Sequence, residues 1–125
     1  MRQYLVKPIL KIKNATYYSL SGLKAAFQDE FAFRLEVLIF IFALPAAFFL
    51  GNTPIERALL ISTLFLIFIA ELLNSAIENT LNRIDRNWNP LIKKAKDQGS
   101  AAVMIAIINA LIVWSFIIIP HFWRS

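Results

Sequence analysis

Five polar side chains recur at helical spacing toward the end of a long apolar stretch of the chain. They are Glu71, Asn74, Ser75, Glu78 and Asn82. At about 100° per residue they fall within roughly 100° of one another on one face of a helix. Carboxylates can hold a divalent cation, and a deeply placed carboxylate can accept a proton. The stripe therefore predicts a site for metal-assisted or acid–base chemistry.

Two further polar groups border apolar stretches elsewhere in the chain. Glu30 and Arg34 are spaced i to i+4 before one stretch, and Lys96, Asp97 and Ser100 precede another. If the apolar stretches are parallel or antiparallel helices, we expect all three polar groups at one depth. Acids for a metal ion, a cation for phosphate and a base for a hydroxyl together indicate phosphoryl transfer.

Other kinds of site are excluded by residue type. The chain has no cysteine, so no thiolate acts as nucleophile or ligand. Glycine occurs only at residues 22, 51 and 99, and none begins a Walker or dinucleotide-binding pattern. Structural explanations remain open for the acids: Glu71 and Glu78 could join helices by hydrogen bonds, and Glu30 with Arg34 could form a surface ion pair.

The elements that position these residues are predicted to be membrane-spanning helices. The chain is 58% hydrophobic with a mean hydropathy of +0.61, more apolar than a soluble domain of its size can bury. We expect spans at about residues 31–50, 57–80 and 100–122. The middle span has only residues 58–70 free of charge, which is too short, so its helix must carry the acidic stripe to membrane depth.

The positions of the basic residues predict the topology and account for the net charge of +5 without nucleic acid as a partner. Basic segments 2–34 and 83–96 share one side only if two spans separate them. We therefore expect a cytoplasmic N-terminus, a cytoplasmic loop over residues 82–99, and a C-terminus on the opposite side. Residues 1–29 are predicted to form an amphipathic surface segment, with Pro8 and Gly22 as candidate breaks. The predicted fold class is an all-α membrane protein with a single domain over residues 1–125.

Two motifs within this pattern resemble those of the small prokaryotic diacylglycerol kinases. They are the segments Glu-Leu-Leu-Asn-Ser-Ala-Ile-Glu at 71–78 and Ala-Lys-Asp-Gln-Gly-Ser-Ala-Ala-Val at 95–103. Residues 22–27 and 30–34 extend the likeness, so that it covers the chain from about Lys11 to Phe122. The resemblance implies a homotrimeric helical bundle in the bacterial cytoplasmic membrane, with active sites built by neighbouring subunits, that phosphorylates diacylglycerol to phosphatidic acid with MgATP.

The resemblance also implies a role for each matching residue. Glu71 is then the general base and contacts the lipid, Glu30 and Glu78 bind the Mg²⁺ of MgATP, and Lys96 neutralises the transferring phosphate. Asn74, Asp97 and Ser100 orient these groups. Further ATP contacts are expected from Lys11, Tyr18, Asn87, Trp88, Asn89 and Asp97, and further lipid contacts from Ser19, Arg34 and Ser100. Lys11 stands where an arginine is familiar, and residues 87–89 fill the loop expected near the nucleotide base.

Other functions are compatible with parts of the pattern. An undecaprenol kinase would perform the same chemistry on a long polyprenol, although Gly99 to Val103 looks like the diacylglycerol form. A small oligomeric ion or proton transporter could line its path with Glu71 and Glu78. A membrane-anchored adaptor would explain the basic surface but leaves the acids within the membrane without a purpose.

Overall fold

A computed structural model describes the backbone of residues 2–123 and the side chains of residues 7–123. In this part of the chain there are four α-helices and no strand: α1 (Arg2–Asp29), α2 (Phe31–Leu50), α3 (Pro54–Ile84) and α4 (Pro90–Trp123). The last three are long and apolar enough to cross a membrane. The all-α fold class predicted from the sequence is confirmed.

Helix α1 runs without interruption through both candidate breaks. Pro8 removes one backbone hydrogen bond near the start of the helix. A glycine within a helix costs only about 1 kcal/mol relative to alanine, and a side chain at Gly22 would meet open space. Lys7, Lys11 and Lys13 are exposed on α1, and the surface role of residues 1–29 stays a prediction.

A single extended residue, Glu30, separates α1 from α2 (φ −108°, ψ 115°). Arg34, in the first turn of α2, turns back across this junction. Its Nη1 donates to the carbonyl oxygens of Gln28 (2.8 Å) and Phe27 (3.1 Å). These carbonyls belong to the last turn of α1 and have no partner within that helix. The sharp junction is thus held by the guanidinium of Arg34.

Helix α3 begins at a capping box between residues 53 and 56. The Thr53 hydroxyl accepts from the Glu56 N–H (3.2 Å), while the Glu56 carboxylate accepts from the N–H of Thr53 (3.4 Å) and of Asn52 (2.7 Å). Aromatic rings then join α3 to α2: Phe40 lies 5.4 Å from Phe65 and 5.2 Å from Phe68 between ring centroids. The two helices therefore pack along an apolar seam.

The most extensive helix contact joins α3 and α4, which are antiparallel. Buried side chains of α3 recur on one face, at Leu60, Thr63, Leu64, Glu71 and Ser75. The buried positions of α4 are Gly99, Ala106 and Ala110. Small residues allow the two backbones to approach closely, as is common between membrane helices. Two members of the polar stripe contact α4 directly, Asn74 at Gly99 and Asn82 at Lys96.

Helix α2 has the predicted bounds, whereas α3 and α4 extend beyond the predicted spans and reduce the predicted loop over residues 82–99 to residues 85–89. Asn89 starts α4, because its Oδ1 accepts from the N–H of Leu91 (2.9 Å) and Pro90 follows at the first helical position. The exposed ion pair between Lys93 and Asp97 (2.6 Å) supports the first turns of α4. The motif around Lys96 is therefore helical and not part of a loop.

Candidate functional site

A buried carboxylate lies at the centre of the polar stripe on α3. Glu71 is 7% exposed and Ser75, one turn further along, is also 7% exposed. Both sit on the face of α3 that carries its buried residues, with apolar segments before them in the helix. Because an isolated carboxylate is costly in such surroundings, the fold must supply partners or a ligand.

Three other carboxylates lie near Glu71. Glu30, at the junction of α1 and α2, and Glu78 on α3 are close enough to Glu71 for their charges to repel it, and Glu71 in turn repels Glu36 on α2. The Glu30 side chain makes no capping bond to α2, so its oxygens are available to a ligand. Repulsion among carboxylates is relieved when a cation binds between them.

The oxygen ligands at this cluster suit magnesium carried by a nucleotide. Within residues 2–123, no group of three or more His, Cys, Asp or Glu side chains is arranged to hold a metal ion by itself. Mg²⁺ at kinase sites is commonly held by one or two carboxylates together with substrate phosphates. Glu30 and Glu78 fit that requirement by residue type and by their common approach to Glu71.

A cavity of about 370 Å³ between α3 and α4 contains both polar and apolar groups. Its polar side chains are Glu71, Asn74 and Ser100. Its remaining walls are formed by Val103, Met104, Ile107 and Ile108. A hydroxyl group attached to a hydrocarbon chain would find hydrogen-bonding partners at one end of this cavity and apolar contact at the other.

The cationic side chains at the start of α4 have different partners. Lys96 is half-buried and donates from Nζ to Asn82 Oδ1 on α3 (2.7 Å). Because Asn82 is neutral, the charge of Lys96 is oriented without being cancelled. Asp97 instead accepts from Lys93 at the exposed surface. Lys96 is therefore directed toward the polar stripe of α3, whereas Asp97 faces away from that stripe in this structure.

A second cavity, of about 570 Å³, lies between α1 and α3. Ser19 and Glu30 line one side, and Ser75 and Asn79 line the other. The Ser19 hydroxyl donates to the Ala15 carbonyl within α1 (2.9 Å). Ser19, predicted to contact the lipid, thus shares a cavity with the acid predicted to hold the metal ion.

Among the described residues, no side-chain hydrogen bond or ion pair joins the other predicted site residues to the carboxylate cluster. Lys11 and Tyr18 are exposed on α1. Asn87 and Trp88 are exposed in the loop between α3 and α4, while the Asn89 side chain starts α4. Arg34 binds the end of α1 and forms no ion pair with Glu30 among the described residues. Their assigned contacts to ATP and lipid stay predictions.

Three residues beside the cluster received no role from the sequence. Glu36 directly precedes the uncharged run at 37–55 and was detectable as an acid at the edge of a membrane span. Asn82 belongs to the polar stripe, but nothing in its spacing points to Lys96. Gly99 lies within a recognised motif, yet only its contact with Asn74 shows why a side chain is absent there.

Comparisons with known proteins identify similar chains. The family model described as prokaryotic diacylglycerol kinase matches residues 17–118. A protein named diacylglycerol kinase from Haemophilus influenzae is 45% identical over 115 residues, covering 92% of this chain and 98% of the relative. Proteins of the same name from Pseudomonas aeruginosa (47% over 109 residues; 87% and 89% covered) and Escherichia coli K12 (46% over 112 residues; 90% and 92% covered) are similar as well.

Proposed function

Because this chain belongs to the prokaryotic diacylglycerol kinase family, we propose that it transfers the γ-phosphate of ATP to the free hydroxyl of diacylglycerol. The products are phosphatidic acid and ADP. The family match confirms the resemblance found in the sequence. The chain is therefore a kinase by family, and its three apolar helices make it an integral membrane protein. Apart from Glu36, the polar residues of the cavity and of the carboxylate cluster each have a proposed role in this reaction.

The cavity between α3 and α4 is the observation that carries this proposal. It joins the buried Glu71 and the polar side chains of Asn74 and Ser100 to a wall of four aliphatic or thioether side chains. A soluble acceptor such as a sugar would leave that wall without a matching surface. A lipid alcohol satisfies both parts of the cavity and reaches it by diffusion within the membrane.

Glu71 is proposed to act as the general base. Its carboxylate takes the proton from the lipid hydroxyl as the hydroxyl oxygen forms a bond to the γ-phosphorus. The bond between that phosphorus and the oxygen bridging to the β-phosphate breaks, and ADP leaves with the electron pair. Lys96 offsets charge on the transferring phosphoryl group, while Asn74 and Ser100 hold the hydroxyl in line.

Glu30 and Glu78 are the residues proposed to hold the magnesium ion of MgATP. The ion, when bound, neutralises phosphate charge and relieves the repulsion that these acids exert on Glu71. Phosphoryl transfer depends mainly on positioning and charge neutralisation. The carboxylate cluster, which combines residues of α3 with the junction before α2, supplies both positioning and charge neutralisation. It lies at the end of the membrane-spanning region that ATP can reach.

The proposed location is the bacterial cytoplasmic membrane, with the site on its inner face. Basic residues flank the acidic end of the helices, in segments 2–34 and 83–96, as expected for the cytoplasmic side. The N-terminus would then be cytoplasmic and the C-terminus on the opposite side. We also propose the homotrimer that the family likeness implies, in which residues of neighbouring subunits complete each site.

The test is lipid phosphorylation by purified protein in mixed micelles containing MgATP and either diacylglycerol or undecaprenol. We expect labelled phosphate from ATP to appear in diacylglycerol. Glu71→Gln should lower kcat by about 10²- to 10⁴-fold, the range for loss of a general base. The matched control is Glu56→Gln at the opposite end of α3, because glutamine also serves in a capping box.

Each result has a defined meaning. A loss of less than about tenfold in Glu71→Gln would contradict its role as base. Preferential labelling of undecaprenol would retain the mechanism but change the substrate. Well-folded protein that labels neither lipid refutes the kinase proposal, and ion flux through proteoliposomes without ATP turnover would favour the transporter instead.

A further inference from the structure

Gly99 of α4 and Asn74 of α3 are in close contact beside the proposed site. Gly99 is buried in the face of α4 that packs against α3. A Cβ atom built on Gly99 would overlap Oδ1 of Asn74 and lie 3.3 Å from its Cγ. The side-chain amide of Asn74 therefore occupies the space that any other residue at position 99 would fill.

Packing against α4, and not a hydrogen bond to Oδ1, holds the Asn74 amide in this position. This oxygen is buried and has no hydrogen-bond partner among the described residues. Such an oxygen is unfavourable, so the packing around it must hold the amide in this position. Asn74 lines the same cavity as Glu71 and Ser100. The orientation of its amide therefore determines which of its atoms faces that cavity.

We infer that Gly99 is a positioning residue for phosphoryl transfer, because its missing side chain leaves room for the Asn74 amide between the helices, beside the cavity that Asn74 shares with Glu71. The inference rests on the proposed function. Gly99 does not touch the reacting groups and acts only through Asn74.

Substitution of Gly99 by alanine tests the contact. Alanine is the better helix former, so the change does not weaken α4 itself. It forces the Asn74 amide to turn away. The matched control is Gly22→Ala, which also replaces a helical glycine but places the new methyl group in open space.

The first readout does not depend on catalysis. The side-chain amide signal of Asn74 is recorded by NMR on ¹⁵N-labelled protein in detergent and is identified by its absence in Asn74→Ala. We expect Gly99→Ala to move this signal and Gly22→Ala to leave it in place. An unmoved signal in Gly99→Ala overturns the inference.

The second readout is a double-mutant cycle in the lipid phosphorylation assay. Gly99→Ala should lower kcat by about 100-fold, the scale of a misplacement near 1 Å, and change both KM values little. Asn74→Ala combined with Gly99→Ala should be no slower than Asn74→Ala alone, since the misplaced amide is already gone. Activity of Gly99→Ala equal to wild type, or a double variant slowed by the product of both losses, overturns the inference.

If Gly99→Ala alone fails to fold, the double variant with Asn74→Ala still tests the inference. With alanine at 74 the nearest remaining atom of that residue is at ordinary contact distance from the new Cβ, as the 3.8 Å to the Cα indicates. Helicity should then return, and continued unfolding of the double variant contradicts the inference. If wild-type protein phosphorylates no lipid, the proposed function fails, whereas the NMR signal still reports the contact between Gly99 and Asn74.

Discussion

A hydrogen bond joins α3 and α4 at the half of the bundle away from the proposed site. Trp114 donates from Nε1 to the Thr63 hydroxyl (3.1 Å), and that hydroxyl donates to the Leu60 carbonyl (2.7 Å). Thr63 is 3% exposed and lies about 12 Å before Glu71, at about 1.5 Å per residue along α3. The bond should therefore stabilise the bundle without taking part in catalysis.

Thr63→Val tests this bond with a side chain of similar shape. The valine methyl group cannot accept a hydrogen bond, so the Trp114 N–H is left without its partner in apolar surroundings. Hydrogen bonds between membrane helices average about 0.6 kcal/mol and reach about 1.7 kcal/mol. Because Thr63 is almost fully buried, we expect the upper part of this range, about 1 to 1.7 kcal/mol, or about 5- to 18-fold in the unfolding equilibrium.

The assay is reversible unfolding in mixed micelles by increasing sodium dodecyl sulfate, followed by helical circular dichroism at fixed protein concentration. Thr63→Val, Trp114→Phe and the double variant form the thermodynamic cycle. Ser62→Ala is the matched control, because the Ser62 hydroxyl is exposed and bonds only the Leu59 carbonyl of its own helix (2.8 Å). We expect that control to unfold like wild type.

Two results would contradict this prediction. A coupling energy between residues 63 and 114 below about 0.2 kcal/mol would show that the bond contributes nothing beyond ordinary packing. A large fall in kcat with unchanged stability would show that the half of the bundle away from the proposed site takes part in the reaction. Trp114 fluorescence should shift in Thr63→Val and remain unchanged in Ser62→Ala.

Two further predictions concern the end of the bundle that carries the proposed site, and the assembly. Asn82→Ala frees the Lys96 ammonium from its 2.7 Å partner. This change should raise the KM for MgATP by about tenfold, since a hydrogen bond to a charged group contributes about 1.5 to 3 kcal/mol and water replaces part of it. Asn82→Gln, which keeps a neutral carbonyl acceptor, should restore part of the binding, and equal KM values in all three proteins would exclude this role. The purified assembly should have a protein mass of about three times the 14.3 kDa chain by sedimentation equilibrium with detergent density matching, and a monomeric mass in active protein would contradict the proposed homotrimer.

The helices and the residues on each helical face could be predicted from the sequence. Uncharged runs long enough to cross a membrane predicted α2 and α4. The middle run was too short, which required α3 to continue through Glu71 to Glu78, and the structure confirms a continuous helix to Ile84. Helical periodicity then placed the acids on one stripe. These inferences depend on composition and on 3.6 residues per turn, which are local properties of the chain.

The ends of the helices were less predictable. Nothing in the apolar pattern showed that α4 begins at Pro90 instead of near residue 100, because the segment between them is polar and its helix is supported by a side-chain cap and an ion pair. Proline and glycine likewise suggested breaks in α1 that do not occur. Local preferences of about 1 kcal/mol for glycine are too small to decide the course of a long helix.

Which helical faces meet, and with what offset, became visible only in the folded bundle. Periodicity assigns residues to a face of their own helix, whereas the rotation and sliding of one helix against another depend on how all their side chains interlock. Arg34 therefore reaches back to α1 instead of pairing with Glu30, and Lys96 finds Asn82 on α3. Gly99 meets Asn74 for the same reason: the small residues of α4 let the two backbones approach until an amide fills the space of a missing side chain.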